Sequence, residues 1–180
     1  LKVIVDIDNT LWDFSGELYR RLSRINSKVP QPCDWSEYSY YEKFIDAKTC
    51  WGIIYDIQGA SRFDAYPGAR ELMNSLWESE HEIIVATNRH PRYKMATQTL
   101  LMNNNLVYHS LHLSNDKSTL FDESIGLVID DSPHVIDKAK SHNIPVIGLK
   151  QAYNVNSGVP LFDDLHALIK HLEERKILVA

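Results

Sequence analysis

Cysteine is scarce in this chain. Cys33 and Cys50 stand apart, with no spacing that a metal site or a disulfide framework uses. Both are expected to be free thiols, the default in a reducing compartment. No apolar run approaches the ~20 residues that a membrane-spanning helix requires, and no segment reads as a secretory signal. A basic surplus is also missing: the formal net charge is −5. Nonspecific binding to nucleic-acid backbones needs a basic face, so it is not expected. A phosphate substrate stays open, because a bound metal reverses the local sign of charge. No repeat or low-complexity tract occurs. What these absences leave is a cytoplasmic globular protein without membrane contact, with room for a homodimer.

What is present suffices for a core. The chain has 180 residues, 44% of them hydrophobic, which suits one domain with a small insertion. Its most informative stretch is Val3-Ile4-Val5-Asp6-Ile7-Asp8-Asn9-Thr10-Leu11. A β-branched apolar run reads as a strand buried on both faces of a parallel sheet. It ends in two carboxylates one residue apart, where open α/β sheets bind ligands. Paired negative charge there is costly by repulsion and desolvation. A divalent cation beside the two acids is the simplest remedy. Asp-x-Asp alone is a weak signal, and a plain strand-to-loop turn is the competing explanation.

Further along, the spacing of Phe14, Leu18, Leu22, Ile25 and Val29 predicts an amphipathic helix stopped by Pro30 and Pro32. Residues 33–63 are dense in aromatics, among them Trp35, Tyr38, Tyr41, Trp51 and Tyr55. They read as short helices and loops. Most of these rings are expected in a small local core, the rest against a ligand. Regular architecture resumes at Tyr66-Pro67-Gly68. Strands are expected at 82–86, 108–113, 125–129 and 145–149, with helices between them, one beginning near Ser118, and a last one capped by Asp163 and Asp164. Alternating strands and helices imply a doubly wound parallel sheet. The stretch 13–65 is too long for an ordinary connection. The expected organisation is an α/β core over 1–12 and 66–180, with a helical cap at 13–65.

Four predicted strand ends carry chemistry: Asp6 and Asp8, Thr87, Lys117, and Asp130 with Asp131. In a doubly wound sheet these ends meet along one edge. A carboxylate can attack phosphorus, and a second can shuttle the proton. A third completes a hard-oxygen site suited to Mg²⁺. A hydroxyl and an ammonium can hold the other phosphoryl oxygens. Taken singly, Thr87 could be an ordinary strand-end residue, Lys117 a solvated lysine and Asp131 a helix cap. The histidines read as solvated or hydrogen-bonded; His134 is nearest the site in sequence.

The order Asp6-Ile7-Asp8-Asn9-Thr10, Thr87, Lys117, Asp130-Asp131 resembles the haloacid dehalogenase-like hydrolase superfamily, over nearly the whole chain outside the insertion. That resemblance implies Asp6 as nucleophile and Asp8 as acid/base. It implies Mg²⁺ held by Asp6, the Asp8 carbonyl and Asp130, with Asp131 in a water-mediated or substrate contact. A narrower likeness is to the 5'(3')-deoxyribonucleotidase branch. It rests on Asp6 through Phe14, on Asp116-Lys117-Ser118, on Tyr66-Pro67-Gly68-Ala69 and on Tyr153-Asn154. This chain has Asn9-Thr10 where that branch has Gly-Val, and it differs after Thr87.

The likeness implies Phe14 as an aromatic wall for a base. Asn88 and Arg89 are substrate-binding candidates from their place directly after Thr87, Arg89 as the positive group, with a plain surface arginine as the competing explanation. The expectation is a Mg²⁺-dependent phosphomonoesterase for a small-molecule phosphate monoester, a nucleoside monophosphate favoured, working through an aspartyl-phosphate. The alternatives are a phosphatase for sugar phosphates or nucleic-acid ends, and a non-catalytic phospholigand binder on the same fold.

Overall fold

A computed structural model describes residues 1–178 of the chain. Its sheet has six parallel strands: β1 (Lys2–Val5), β2 (Glu82–Thr87), β3 (Ser110–Leu113), β4 (Ile125–Ile129), β5 (Val146–Leu149) and β6 (Leu161–Phe162). Their spatial order is β3-β2-β1-β4-β5-β6. The first strand therefore lies between β2 and β4, and the chain reverses its direction of travel across the sheet there. Such a switch point opens a crevice at the carboxyl edge.

Alternation along β1 explains its central place. Val3 and Val5 point into one apolar cluster, Ile4 into the other, and all three are fully buried. The larger cluster takes in α1 (Phe14–Ile25), α2 (Ala47–Gly59), α3 (Ala69–Glu78), α4 (Lys94–Asn103) and α6 (Leu165–Glu174). The smaller one is roofed by Val135, Ile136 and Ala139 of α5 (Pro133–Ser141) and by Phe121. Residues of 13–65, including Leu18, Trp35, Cys50 and Ile57, share the larger cluster with Val5 and Val85. Both cysteines are free, Cys33 exposed and Cys50 buried.

Several boundaries differ from the sequence reading, each for a local reason. Helix α1 stops at Ile25, ahead of the two prolines. Asn26 ends it: its Oδ1 accepts from Lys28 N at 3.0 Å and its Nδ2 donates to the Phe44 carbonyl at 3.0 Å. Asparagine bonds of this type compete with helical ones. The helix expected near Ser118 is a single 3₁₀ turn, Lys117–Leu120. Asp116 and Asp122 each bind a backbone N–H two residues on, which favours turns at both ends. Strand β3 begins at Ser110 because the His109 ring accepts the Ile83 N–H at 3.0 Å, in place of a ladder carbonyl. Asp164 alone caps α6, while Asp163 faces Lys150. The two-residue β6 carries too short a pattern to be seen in sequence.

No helix among the described residues is long and apolar enough to cross a membrane.

Candidate active site

The ladder continues one residue past β1 and β4. Asp6 N donates to the Ile129 carbonyl at 2.9 Å, and Asp130 N donates to the Ile147 carbonyl at 3.0 Å. Backbone pairing thus places both carboxylates at the carboxyl edge, on adjacent strands. Close approach by β5 reinforces this. A Cβ on Gly148 would stand 2.2 Å from the Asp130 carbonyl oxygen, so only glycine fits there.

Lys117 joins the two acids. Its ammonium donates to Asp6 and, at 2.7 Å, to Asp130 Oδ2. Ser132 N donates to the other Asp130 oxygen at 2.9 Å. Asp6, Lys117, Asp130 and Asp131 are all buried. Burial pushes the Asp6 carboxyl well above the usual range; Lys117 opposes that rise, and Asp130 and Asp131 add to it. Burial also lifts Asp131, to about 7, with Asp130 contributing. Burial alone would lower Lys117, but Asp130 and Asp6 outweigh it and hold the ammonium above its ordinary value.

Three carboxylates against one ammonium leave negative charge unbalanced. One oxygen each from Asp6, Asp130 and Asp131 lies within 4.8 Å of the others. Opposite ligands around Mg²⁺ stand about 4 Å apart, and the ion prefers carboxylate and water oxygen. The residues therefore fit a small divalent cation by donor chemistry, spacing and charge.

Asp8 lives differently. Three N–H groups converge on it: Trp12 Nε1 at 2.7 Å, Arg89 Nη2 at 2.7 Å and Arg89 Nε at 3.1 Å. Arg89 is fully buried and also lies over the Trp12 ring, at 5.6 Å. Trp12 is fixed in turn by stacking on Phe63 at 4.3 Å. A buried guanidinium requires a counter-charge, and Asp8 provides it. The positive group read from sequence as facing the substrate is thus spent on Asp8, although Arg89 Nη1 has no hydrogen-bond partner among the described residues.

Between Asp8 and the second acidic pair runs a hydrogen-bonded bridge. Asn9 is left-handed, with φ 63°, a conformation asparagine tolerates better than most residues. Its Nδ2 donates to the Tyr153 hydroxyl at 3.0 Å, and its Oδ1 accepts from Ser15 N at 2.8 Å. The Tyr153 hydroxyl donates to Asp131. Asn154 Nδ2 bonds the Asp131 and Leu149 carbonyls, both at 2.9 Å, pinning the loop that carries Tyr153. Tyr38 meets Tyr153 edge-to-face at 5.2 Å.

The structure thus brings Asp6, Lys117, Asp130 and Asp131 into one cluster. Thr87 is buried at the end of the neighbouring β2, its hydroxyl 3.4 Å from the Arg89 N–H. Asp131, read from sequence as a substrate or water-mediated contact, belongs to the acidic cluster itself. Phe14 and exposed Asn88 line a cavity of about 140 Å³ that opens beside Asp8, together with Tyr38, Tyr41 and Tyr153. His134 is exposed on α5. Sequence reasoning gave no role to Trp12, Asn9 or Tyr153. Trp12 follows the Asp-x-Asp turn directly, but nothing in its spacing shows that its N–H turns back to Asp8.

No family model matches the chain, and no curated protein matches it. Solved structures do. A haloacid dehalogenase-like hydrolase from Streptococcus pneumoniae is 13% identical, with 95% of this chain and 97% of that one covered, at a TM-score of 0.66. A predicted phosphoglycolate phosphatase from Haemophilus somnus is 17% identical over 94% and 96%, at 0.61. A haloacid dehalogenase-superfamily hydrolase from Ehrlichia chaffeensis is 16% identical over 96% of both chains, at 0.60. The chain has the haloacid dehalogenase-like α/β fold.

Proposed function

We propose that this chain is a Mg²⁺-dependent phosphomonoesterase that hydrolyses a nucleoside monophosphate through an aspartyl-phosphate on Asp6. The observation that carries the reading is the buried cluster of Asp6, Lys117, Asp130 and Asp131 at the carboxyl edge. Such a cluster has no use in a packed core, where unbalanced carboxylates only destabilise.

Asp6 and Asp130, with the Asp8 carbonyl, would hold Mg²⁺, and Asp131 would stand close by. The ion supplies charge that offsets the phosphoryl oxygens and lets an anionic nucleophile approach. Asp6 Oδ attacks phosphorus as the bond to the leaving oxygen breaks. The Asp8 carboxyl gives its proton to that oxygen. Asp8 then takes a proton from water, the water oxygen bonds to phosphorus, and the Asp6–phosphorus bond breaks. Inorganic phosphate leaves. Trp12 and Arg89 orient Asp8 for both transfers. Lys117 steadies Asp6, and the Thr87 hydroxyl offers a donor to a phosphoryl oxygen.

The cavity beside Asp8 supports an aromatic leaving group. Its volume, about 140 Å³, compares with the ~150 Å³ of engineered cavities that take up benzene. Phe14, Tyr38 and Tyr41 furnish ring faces. Residues 13–65, which supply these rings, act as a cap over the core in this reading. A second reading, a phosphatase for a small phosphorylated acid or sugar, is favoured by the name of the matched Haemophilus structure. Phosphate release decides between them. The panel is 5'- and 3'-nucleotides in ribo and deoxy forms, phosphoglycolate, a sugar phosphate and p-nitrophenyl phosphate, with and without Mg²⁺. Nucleotides are expected to give the highest kcat/KM. Comparable rates on sugar phosphates would remove the nucleotide claim, and no turnover of any ester would remove the enzyme claim.

A further inference from the structure

The cleft beside Asp8 does not end at the ring-sized cavity. A second lobe of about 270 Å³ adjoins it, lined by Trp51, Tyr55, Gln58, Asn88, His90 and Asn115. Trp51, Gln58 and Asn88 line both lobes. One wall of the outer lobe is α2, and the other is the loops that follow β2 and β3.

Three features there suit a ligand better than a packing role. Trp51 is 48% exposed beside Tyr55, ring centroids 5.7 Å apart; an exposed tryptophan gains little for the fold. Exposed Arg92 lies outside the lining itself, at the lobe's edge, with its guanidinium over the lining residue Tyr55 at 4.7 Å and over Tyr93 at 4.6 Å. Two rings hold it in place, so its charge is pre-positioned. Gln58 is 6% exposed at the junction of the lobes. Its Oε1 accepts from His90 N at 3.1 Å, which holds a polar amide in place on the wall of the open cleft.

We infer that the outer lobe binds a second nucleotide unit, so that the preferred substrate is a short oligonucleotide carrying a terminal monophosphate. This rests on the nucleotide reading above. The first base occupies the inner cavity, the second stacks on Trp51 and Tyr55, and the connecting phosphodiester faces Arg92. Gln58 Nε2 donates to an oxygen of the first unit where the lobes meet. Because the chain is net acidic, recognition stays local and short. Two units fill the cleft, and longer strands gain nothing more.

The test compares KM for thymidine monophosphates with KM for thymidine dinucleotides, phosphorylated at either the 5' or the 3' end. p-Nitrophenyl phosphate serves as the reference. Stacking of one base is worth ~1–3 kcal/mol, or about 5- to 150-fold. One of the dinucleotides is therefore expected to show a KM at least about 5-fold below its mononucleotide. In Arg92→Gln and in Tyr55→Leu, the ratio of the two KM values should fall towards one. Both sites lie outside the inner cavity, and the mononucleotide KM controls for misfolding. Equal KM values for mono- and dinucleotides overturn the inference and leave the nucleotide reading standing. A ratio unmoved by both substitutions also overturns it. So does a tyrosine-phosphorylated peptide that outcompetes the dinucleotide. Turnover of p-nitrophenyl phosphate with none of any nucleotide overturns the nucleotide reading and this inference together.

Discussion

Asp6 and Asp8 are separated by one residue and belong to different worlds. Asp6 lies in a buried cluster in which carboxylates outnumber the single ammonium. Asp8 is matched one-to-one by a buried guanidinium and further tied by an indole N–H. The first environment is electrostatically unfinished and calls for a cation. The second is complete and needs only a proton in transit. Strand alternation would put residues two apart on one face. Instead β1 ends at Val5 and the chain turns over residues 7–11 with Asn9 left-handed, so one short stretch can hold two acids in unlike surroundings, suited to the proposed nucleophile and proton shuttle. Divergent environments for paired titratable groups are how acid and base roles are divided.

Substitutions break this contrast in graded fashion. Asp6→Asn removes the proposed attacking oxygen, and turnover is expected to fall by about 10⁴-fold or more, measured as phosphate release. Asp8→Asn leaves attack possible without proton transfer, a loss of about 10²- to 10⁴-fold. That loss should be smaller on p-nitrophenyl phosphate, whose leaving oxygen needs no proton. Arg89→Met should follow Asp8→Asn in its leaving-group dependence, because it frees Asp8 from its tether. Its kcat should drop about 10-fold or more, with KM little changed.

Stability against pH sharpens the same contrast. Asp131 is raised to about 7 in the folded protein by burial, from an ordinary carboxylate value. Between those two values the folded state binds more protons than the unfolded state, so stability falls as pH rises through that window. The metal-free protein should therefore melt at a higher temperature at pH 5 than at pH 8. Mg²⁺ should raise the melting temperature more at pH 8, because it replaces the missing protons as counter-charge. Calorimetry at both pH values, with and without the ion, checks this. Gly148→Ala tests the geometry rather than the charge. Its methyl group would displace the Asp130 backbone, so Mg²⁺ affinity should weaken beyond the loss in stability. The smallest effect is expected from Trp12→Phe, which removes one hydrogen bond to Asp8. A few-fold change in kcat, confined to substrates with poor leaving groups, would fit that role.

Legibility followed the same division. The strand ends were readable because buried β-branched runs followed by acids have few explanations, and the parallel order then brings Asp6 and Asp130 together by backbone pairing alone. The pairing of Asp8 with Arg89 was not readable. It depends on where a turn after β2 points one side chain, and no periodicity encodes that. The aromatics of 33–63 were equally opaque. Trp35 and Tyr41 are buried, while Tyr38 and Trp51 stay half-exposed at the cleft, yet all four look alike in sequence. Helix α2 was missed as a regular 13-residue helix, because its apolar positions spread around the axis instead of forming one stripe.

Trapping the intermediate tests the central claim most directly. Enzyme with Mg²⁺ is mixed with a substrate labelled in its phosphoryl group, quenched in acid within one turnover, and digested. The account predicts a hydroxylamine-sensitive label on the peptide containing Asp6, absent without Mg²⁺ and absent in Asp6→Asn. Rapid turnover with no label on that peptide, or undiminished turnover in Asp6→Asn, would contradict it.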